Sequence, residues 1–140
     1  MKKISDRLYV GPQLTAHDIS RAKSQGFAAI MNNRPDGEEP GQPSAAENRS
    51  VAEGELLAYT HIPVTAGEIS EGQVRAFQQA LSRAAGPVLA HCKTGTRSAV
   101  LHAIGEVLDG RMEKNEVIPF GQSVGLDLSG AVKWLDANGR

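Results

Sequence analysis

One segment of the sequence brings together the residue types that nucleophilic chemistry on an anionic group needs. It is PVLAHCKTGTRS, residues 87–98, and it contains the single cysteine of the chain, Cys92. A thiol that follows an apolar strand and precedes a helix lies near backbone N–H groups and the positive end of the helix dipole. Both favour the nucleophilic thiolate. We therefore predict that Cys92 is the reacting group.

The residues after Cys92 are predicted to form an anion-binding loop. Gly95 lets the backbone curl, so that successive N–H groups can point inward as a concave anion site. Arg97 carries a planar guanidinium that can hold two oxygens of a phosphate-like group at once. The predicted anion-binding residues are Lys93, Thr94, Gly95, Thr96, Arg97 and Ser98.

Two polar residues are expected to support this loop. Ser98 is expected either to donate a hydrogen bond to the Cys92 thiolate or to cap the helix that follows. His91 is expected to orient the loop through a backbone hydrogen bond rather than to act as a base. A lone cysteine at the end of an apolar run is more often a small buried hydrophobe. A cation, a glycine and a hydroxyl at this spacing would all serve one anion site, which favours the catalytic interpretation.

The elements that position this loop are predicted from the alternation of short apolar runs with amphipathic helical segments. This alternation is typical of an α/β fold with a mostly parallel sheet of four or five strands flanked by helices. The predicted strands are residues 8–11, 27–32, 59–64 and 87–91. Helix starts are predicted at Thr15/Asp18, Ser44/Glu47 and Ser70/Gln73, and further helices over 98–109, 113–124 and 129–138. The length fits a single domain, residues 1–140.

A long polar loop, residues 32–44, follows the second predicted strand. It leaves the carboxyl end of that strand, which is the edge where parallel α/β sheets place their sites. Loops of this length in small domains are usually functional or disordered. We therefore predict a functional role for this loop.

The composition narrows the possible partners. The net charge of −1 gives no overall field that favours nucleic acid or an anionic membrane. One cysteine can form neither an internal disulfide nor a zinc site by itself, which fits a reducing compartment. No apolar stretch is long enough for a signal or a membrane helix, and the histidines form no closely spaced ligand pair. We expect a cytoplasmic protein that needs no metal or other cofactor.

The segment from His91 to Ser98 resembles the active-site loop of cysteine-dependent phosphatases of the protein tyrosine and dual-specificity class. Residues 8–11, 30–35 and 62–64 resemble other parts of that fold in the same order. Nearly the whole chain is similar to the bacterial phosphatase-like domain that is also fused in beta-lactamase hydrolase-like proteins. This resemblance implies an enzyme in which Cys92 attacks phosphorus to form a phosphocysteine, Arg97 binds the phosphoryl oxygens, and water releases phosphate. The substrate would be a small anionic or phosphorylated molecule.

Two departures from the phosphatase pattern keep other interpretations open. Only four residues separate Cys92 from Arg97, whereas the phosphatase loop has five. The shorter spacing resembles rhodanese-type sulfurtransferases, which carry a persulfide on cysteine. In addition, the loop that holds the general-acid aspartate of the phosphatases is here residues 65–68, without an aspartate. Glu68 or Asp36 could replace it.

The interpretation favoured by the whole chain is hydrolysis of a phosphate ester with weak turnover. Arg34 is expected to pair with Asp36 or to add positive charge at the rim of the site. A sulfurtransferase with a persulfide on Cys92 is the main alternative, because its leaving group needs no acid. An inactive anion-binding module is the third. The fused relatives also suggest a partner in sulfur metabolism.

Overall fold

A mostly parallel five-stranded sheet forms the central layer of the protein, in a computed structural model that describes residues 1–140. The strand order is β1-β2-β5-β3-β4, and only β1 runs antiparallel to its neighbour. The strands are β1 (Lys2–Lys3), β2 (Leu8–Gly11), β3 (Ala29–Asn32), β4 (Ala58–His61) and β5 (Val88–His91). The predicted fold class is therefore confirmed, with β1 as an added edge strand.

The register of the sheet brings the ends of three strands to one level. His91 at the end of β5 is opposite Gly11 of β2 on one side and Asn32 of β3 on the other. Because the three strands are parallel, the segments that follow them leave the sheet at the same edge. Cys92 is the first residue after the central strand, so it starts at the middle of this edge.

Six helices cover the two faces of the sheet. They are α1 (Ala16–Ser24), α2 (Ala45–Gly54), α3 (Glu71–Arg83), α4 (Thr96–Leu108), α5 (Val117–Ser123) and α6 (Ser129–Ala137), with a 3-10 turn at Lys114–Glu116. Side chains alternate between the faces: Val88 and Ala90 of β5 belong to the larger core with α3, α4 and α6, whereas Leu89 packs with α1 and α2. Each fully buried large apolar side chain stabilises the fold by about 1.5–3 kcal/mol. None of the helices is both long and apolar enough to span a membrane.

The predicted helix starts are confirmed by their capping contacts. The Thr15 hydroxyl accepts a hydrogen bond from the Asp18 N–H, and the Ser70 hydroxyl does the same for the Gln73 N–H. In both pairs the second side chain accepts in return from the N–H of the first residue. Ser44 likewise accepts from the Glu47 N–H, at the start of α2.

Several boundaries differ from the predicted ones for local physical reasons. The helix predicted from residue 98 begins two residues earlier, because Gly95 adopts a left-handed conformation and the helical turn starts directly after it. The third predicted strand ends at His61 rather than 64, before Pro63, which has no N–H to donate. In the tail, Pro119 lies in the first turn of α5, where a missing N–H costs nothing.

Candidate active site

Cys92 lies at the base of the loop between β5 and α4, with 1% of its surface exposed. Its Sγ accepts a hydrogen bond from the N–H of Gly95 at 3.0 Å. Gly95 can make this contact because its φ is +102°, a conformation that side chains with a Cβ rarely adopt. A Cβ at this position would also lie 3.3 Å from the carbonyl oxygen of Gly11. The predicted tight turn at Gly95 therefore holds the sulfur directly.

Arg97 reaches the same region from the first turn of α4, and its contacts fix the plane of its guanidinium. Its Nη1 and Nη2 donate to the two carboxylate oxygens of Glu38 at 2.7 and 2.8 Å. Nη1 also donates to the carbonyl oxygen of Val64 at 3.0 Å. Hydrogen bonding to Glu38 is the main cause that raises the pKa of Arg97, burial opposes it, and attraction to the Cys92 sulfur adds to it.

The guanidinium of Arg97 keeps one edge without a protein oxygen as partner. Its two terminal nitrogens share Glu38, and Val64 takes the other hydrogen of Nη1. The remaining hydrogens, one on Nε and one on Nη2, lie in the guanidinium plane and point in the same direction from one edge of the group. This Nε–Nη2 edge has the geometry to hold two oxygens of one tetrahedral anion.

Glu38 is the central contact of an ionic network that the sequence patterns did not predict. Its side chain is 27% exposed, and it also accepts from Arg34 Nε at 2.9 Å. Hydrogen bonding to Arg97, followed by the weaker influence of Arg34, lowers the pKa of Glu38 to about 2 against the opposing effect of burial. The carboxylate is therefore ionised at neutral pH and does not serve as a proton donor.

Arg34 is almost fully buried, with 1% of its side chain exposed. Its Nη1 donates to Gln13 Oε1 at 3.1 Å, and its Nη2 lies 3.0 Å from Glu39 Oε1 without a well-directed hydrogen bond. The expected pairing with Asp36 is therefore wrong, because the acidic residues that reach Arg34 are Glu38 and Glu39. Arg34 also lies inside the protein rather than at the rim of the site.

Asp36 and Glu68, the two predicted substitutes for the general acid, lie in different surroundings. Asp36 Oδ1 accepts a hydrogen bond from the N–H of Ala45 at 2.8 Å, at the start of α2. A carboxylate in this position stabilises the helix terminus. Glu68 is exposed, in a turn closed by its own N–H and the carbonyl oxygen of Thr65. Neither carboxylate makes a hydrogen bond or an ion pair with the Cys92 loop, so the catalytic role of Asp36 or Glu68 stays a prediction.

Ser98 makes neither of the contacts predicted for it. Its buried hydroxyl donates to Asn33 Oδ1 at 2.7 Å, because the residue is in the first turn of α4 and faces the segment after β3. Asn33 in turn donates to the carbonyl oxygen of Ile62 at 3.0 Å. These two bonds join α4 to the segments that follow β3 and β4, the two strands on one side of β5 in the sheet.

The other predicted loop residues lie nearer to the surface. Lys93 is exposed, with its Nζ 3.7 Å from Glu39 Oε2. Thr94 and Thr96 contact each other through a hydroxyl hydrogen bond of 3.3 Å. Their side chains thus form the outer part of the loop whose inner part is the contact between Cys92 and Gly95.

His91 is completely buried beneath the loop. Its Nδ1 lies 3.4 Å from the carbonyl oxygen of Cys92, the kind of backbone contact that the sequence predicted. Burial is the main cause that lowers the pKa of His91 to about 4, so its imidazole is neutral at pH 7. No group of three or more His, Cys, Asp or Glu side chains converges to hold a metal ion.

Comparison with known proteins gives both a family and a fold. Residues 1–109 match the sequence model of the phosphatase-like domain of beta-lactamase hydrolase-like protein. The beta-lactamase hydrolase-like protein of Agrobacterium fabrum is 44% identical over 134 residues, which are 96% of this chain and 31% of that relative. The chain therefore spans about a third of the length of the curated relatives it matches.

Solved structures show the same architecture. A candidate phosphatase from Neisseria meningitidis Z2491 is 36% identical, with a TM-score of 0.85 over 97% of this chain and 96% of that one. TpbA of Pseudomonas aeruginosa is 20% identical, with a TM-score of 0.67 over 96% of this chain and 84% of that one. A cysteine-to-serine variant of TpbA has been solved in complex with phosphotyrosine. At this identity the likeness to TpbA shows the fold alone.

Proposed function

The chain belongs to the family of phosphatase-like domains of beta-lactamase hydrolase-like proteins, and on this premise we propose that it hydrolyses phosphate monoesters through Cys92. The family confirms the resemblance predicted from the sequence. One observation carries the proposal: the Cys92 sulfur is held by the Gly95 N–H beside an arginine whose Nε–Nη2 edge has no protein oxygen as partner. A nucleophile and a bidentate oxyanion donor are thus part of one site.

The proposed reaction has two steps. In the first, the Cys92 thiolate attacks phosphorus, an S–P bond forms, and the P–O bond to the leaving group breaks. In the second, water attacks the phosphocysteine, the S–P bond breaks, and inorganic phosphate leaves with the thiolate restored. Arg97 would hold two phosphoryl oxygens in both steps and stabilise the charge that develops on them.

The leaving group needs a proton in the first step, and Glu68 is the first candidate to test as its donor, because the Asp36 carboxylate already accepts from the Ala45 N–H. General-acid catalysis typically contributes 10²–10⁴-fold, or roughly 3–5 kcal/mol of barrier. Because Glu68 is exposed, we propose that substrates with a stable leaving group, such as aryl phosphates, react fastest and that turnover is weak. The complex of TpbA with phosphotyrosine supports an aryl phosphate as the first substrate to test.

The test compares wild-type protein with Cys92→Ser and Arg97→Ala in an assay of phosphate release from an aryl phosphate. Both substitutions should abolish release, whereas Arg21→Ala, at an exposed position of α1, should leave it unchanged. Intact-mass measurement after rapid quenching should detect a phosphoryl adduct on wild-type protein and none on Cys92→Ser. Phosphate release that survives Cys92→Ser would rule out the phosphocysteine mechanism.

Sulfur transfer is a second candidate function because only four residues separate Cys92 from Arg97. With thiosulfate, the Cys92 thiolate would attack the outer sulfur, sulfite would leave, and an acceptor thiol would take the sulfur from the resulting persulfide. A mass increase of one sulfur atom on Cys92, without phosphate release, would favour this function and, with it, a partner in sulfur metabolism. If neither group is transferred but tetrahedral anions still bind, the chain is an anion-binding module.

A further inference from the structure

Glu38 brings a negative charge to the arginine that is proposed to bind an anion. Its carboxylate lies 2.7–2.8 Å from two nitrogens of Arg97 and is ionised at neutral pH. A carboxylate in this place has one of two effects on an incoming anion. It can repel the anion and compete with it for donors, or it can fix the arginine in the orientation that binds the anion. The contacts of Arg97 and of Glu38 favour the second effect.

The first line of evidence is the pair of nitrogens that Glu38 uses. It occupies the end of the guanidinium, Nη1 and Nη2, while the carbonyl oxygen of Val64 takes the other hydrogen of Nη1. Neither contact uses the Nε hydrogen or the second Nη2 hydrogen, which together form the Nε–Nη2 edge. Arg97 is therefore held from two different loops in a way that keeps a complete bidentate edge available for two oxygens.

The second line of evidence is that Glu38 is itself held in place. Its Oε1 accepts from Nε of the buried Arg34 at 2.9 Å. Its backbone N–H donates to Gln42 Oε1 at 3.1 Å, and the Gln42 amide donates to the carbonyl oxygen of Pro35 at 2.9 Å. Both the side chain and the backbone of Glu38 thus have fixed partners within its own loop. A side chain held in this way can keep the guanidinium of Arg97 in one orientation.

We propose that Glu38 is a positioning residue: together with Val64 it fixes the guanidinium of Arg97 so that the Nε–Nη2 edge meets an oxyanion bound at Cys92. Arg34 and Gln42 hold Glu38 in turn. The inference deepens the proposed function, since it rests on anion binding at the Cys92 loop. It requires no turnover, so it can be tested by equilibrium binding alone.

The two effects of Glu38 predict opposite results for Glu38→Gln. This substitution keeps the size of the side chain but removes its charge and one acceptor oxygen. If Glu38 acts by repulsion or competition, the variant will bind tungstate, a tetrahedral dianion, more tightly than wild-type protein. If Glu38 positions Arg97, the variant will bind tungstate roughly 10- to 100-fold more weakly, because a misaligned guanidinium no longer donates to two oxygens of the anion at once. Titration calorimetry at pH 7 measures both dissociation constants.

Glu39→Gln is the matched control. It removes the same charge from the next residue of the same loop, and its contacts are with Arg34 and Lys93 rather than with Arg97. We expect its tungstate affinity to stay within about twofold of wild type, because the Glu39 side chain is 47% exposed, where ion pairs contribute little, and it makes no contact with Arg97. A loss as large as that of Glu38→Gln would show that loop charge is responsible and would overturn the proposal.

A double-mutant cycle with Arg97→Lys separates positioning from a structural role. Lysine keeps the positive charge but has no fork to align. In that background Glu38→Gln should change tungstate affinity by less than about twofold, although its effect on urea unfolding persists. The proposal would be contradicted if Glu38→Gln weakened tungstate binding as much in the Arg97→Lys background as in the wild-type background. Tighter binding by the Glu38→Gln single variant would contradict it too. If wild-type protein does not bind tungstate at all, both this inference and the proposed function fail together.

Discussion

At the scale of single residues, the position of the Cys92 sulfur depends on the backbone conformation of Gly95. The left-handed φ of +102° turns the Gly95 N–H toward Sγ, and the space beside its Cα is limited by the backbone of Gly11. An alanine here would encounter both a strained φ and a Cβ contact of 3.3 Å. The same residue, Gly95, therefore affects both the stability of the fold and the position of the Cys92 sulfur.

We predict that Gly95→Ala lowers the free energy of unfolding by about 1–2 kcal/mol, since a left-handed conformation carries a penalty of this size for residues with a Cβ. Urea denaturation measures the change, and tungstate titration measures the accompanying loss of anion affinity. Gly54→Ala, at the end of α2 with nothing within 4 Å of the added Cβ, is the control and should be neutral or stabilising. An equal loss in the two variants would contradict this explanation.

The sequence predicted the loop around Cys92 but not the distant side chains, such as Glu38, that contact this loop. Cys92, Gly95 and Arg97 lie within six consecutive residues, so an anion-binding loop with a thiol could be predicted without knowledge of the fold. Glu38 could not be found in this way, because it meets Arg97 across 59 positions of sequence. The available signal was the spacing of Arg34 and Glu38 in a polar loop at the carboxyl edge of a strand, but this spacing usually indicates a helix face.

At the scale of elements, α4 is joined to the strand edge by a buried polar contact between Ser98 and Asn33. The Asn33 amide continues this link to the segment after β4. Removal of the hydroxyl would leave Asn33 Oδ1 buried without this donor. The contact therefore holds the start of the helix, and with it Arg97, against its neighbours.

We predict that Ser98→Ala destabilises the protein by about 1–3 kcal/mol, the typical cost of leaving a buried polar atom unpaired. Urea unfolding followed by far-UV circular dichroism measures this cost. Ser82→Ala is the comparison, because that hydroxyl is exposed and bonds only to Gln79 within its own helix; its effect should stay below about 0.5 kcal/mol. A change of less than about 0.5 kcal/mol for Ser98→Ala as well would show that Asn33 finds another partner.

The elements themselves were largely predictable, and the exceptions have physical causes. Apolar alternation marked four strands because each has buried residues, whereas β1 consists of two exposed lysines and carries no such signal. The split of the predicted tail helix into a 3-10 turn and α5 depends on tertiary packing, with Val117 buried in the larger core. Local propensity does not determine where such a helix begins.

At the scale of the whole molecule, the buried histidine and the ionised glutamate make stability depend on pH in the same direction. The folded state keeps His91 neutral down to about pH 4, whereas an unfolded histidine takes up a proton near its ordinary value of 6.5. Glu38 similarly stays ionised down to about 2 instead of its ordinary value of 4.5. In both cases the unfolded state binds more protons, so stability falls as the pH decreases.

We predict that the free energy of unfolding decreases from pH 6.5 toward pH 4 with a contribution from His91 of at most about 1.4 kcal/mol per pH unit. Urea unfolding across this range measures the slope for wild-type protein and for His91→Gln. The variant should have a smaller slope whatever its stability at neutral pH. A residual slope is expected from His102, whose pKa is also lowered, mainly by burial. Parallel curves would contradict the assignment to His91.

The strand order has a consequence for how the chain acquires its shape during synthesis. β5 is the last strand to be made, yet it lies between β2 and β3 and pairs with both. A nascent chain that ends before residue 88 therefore contains β2 and β3 without the strand that joins them, and its unpaired edges are open to association with other chains. Cys92 directly follows this strand, so a chain that still lacks the joining strand also lacks the thiol.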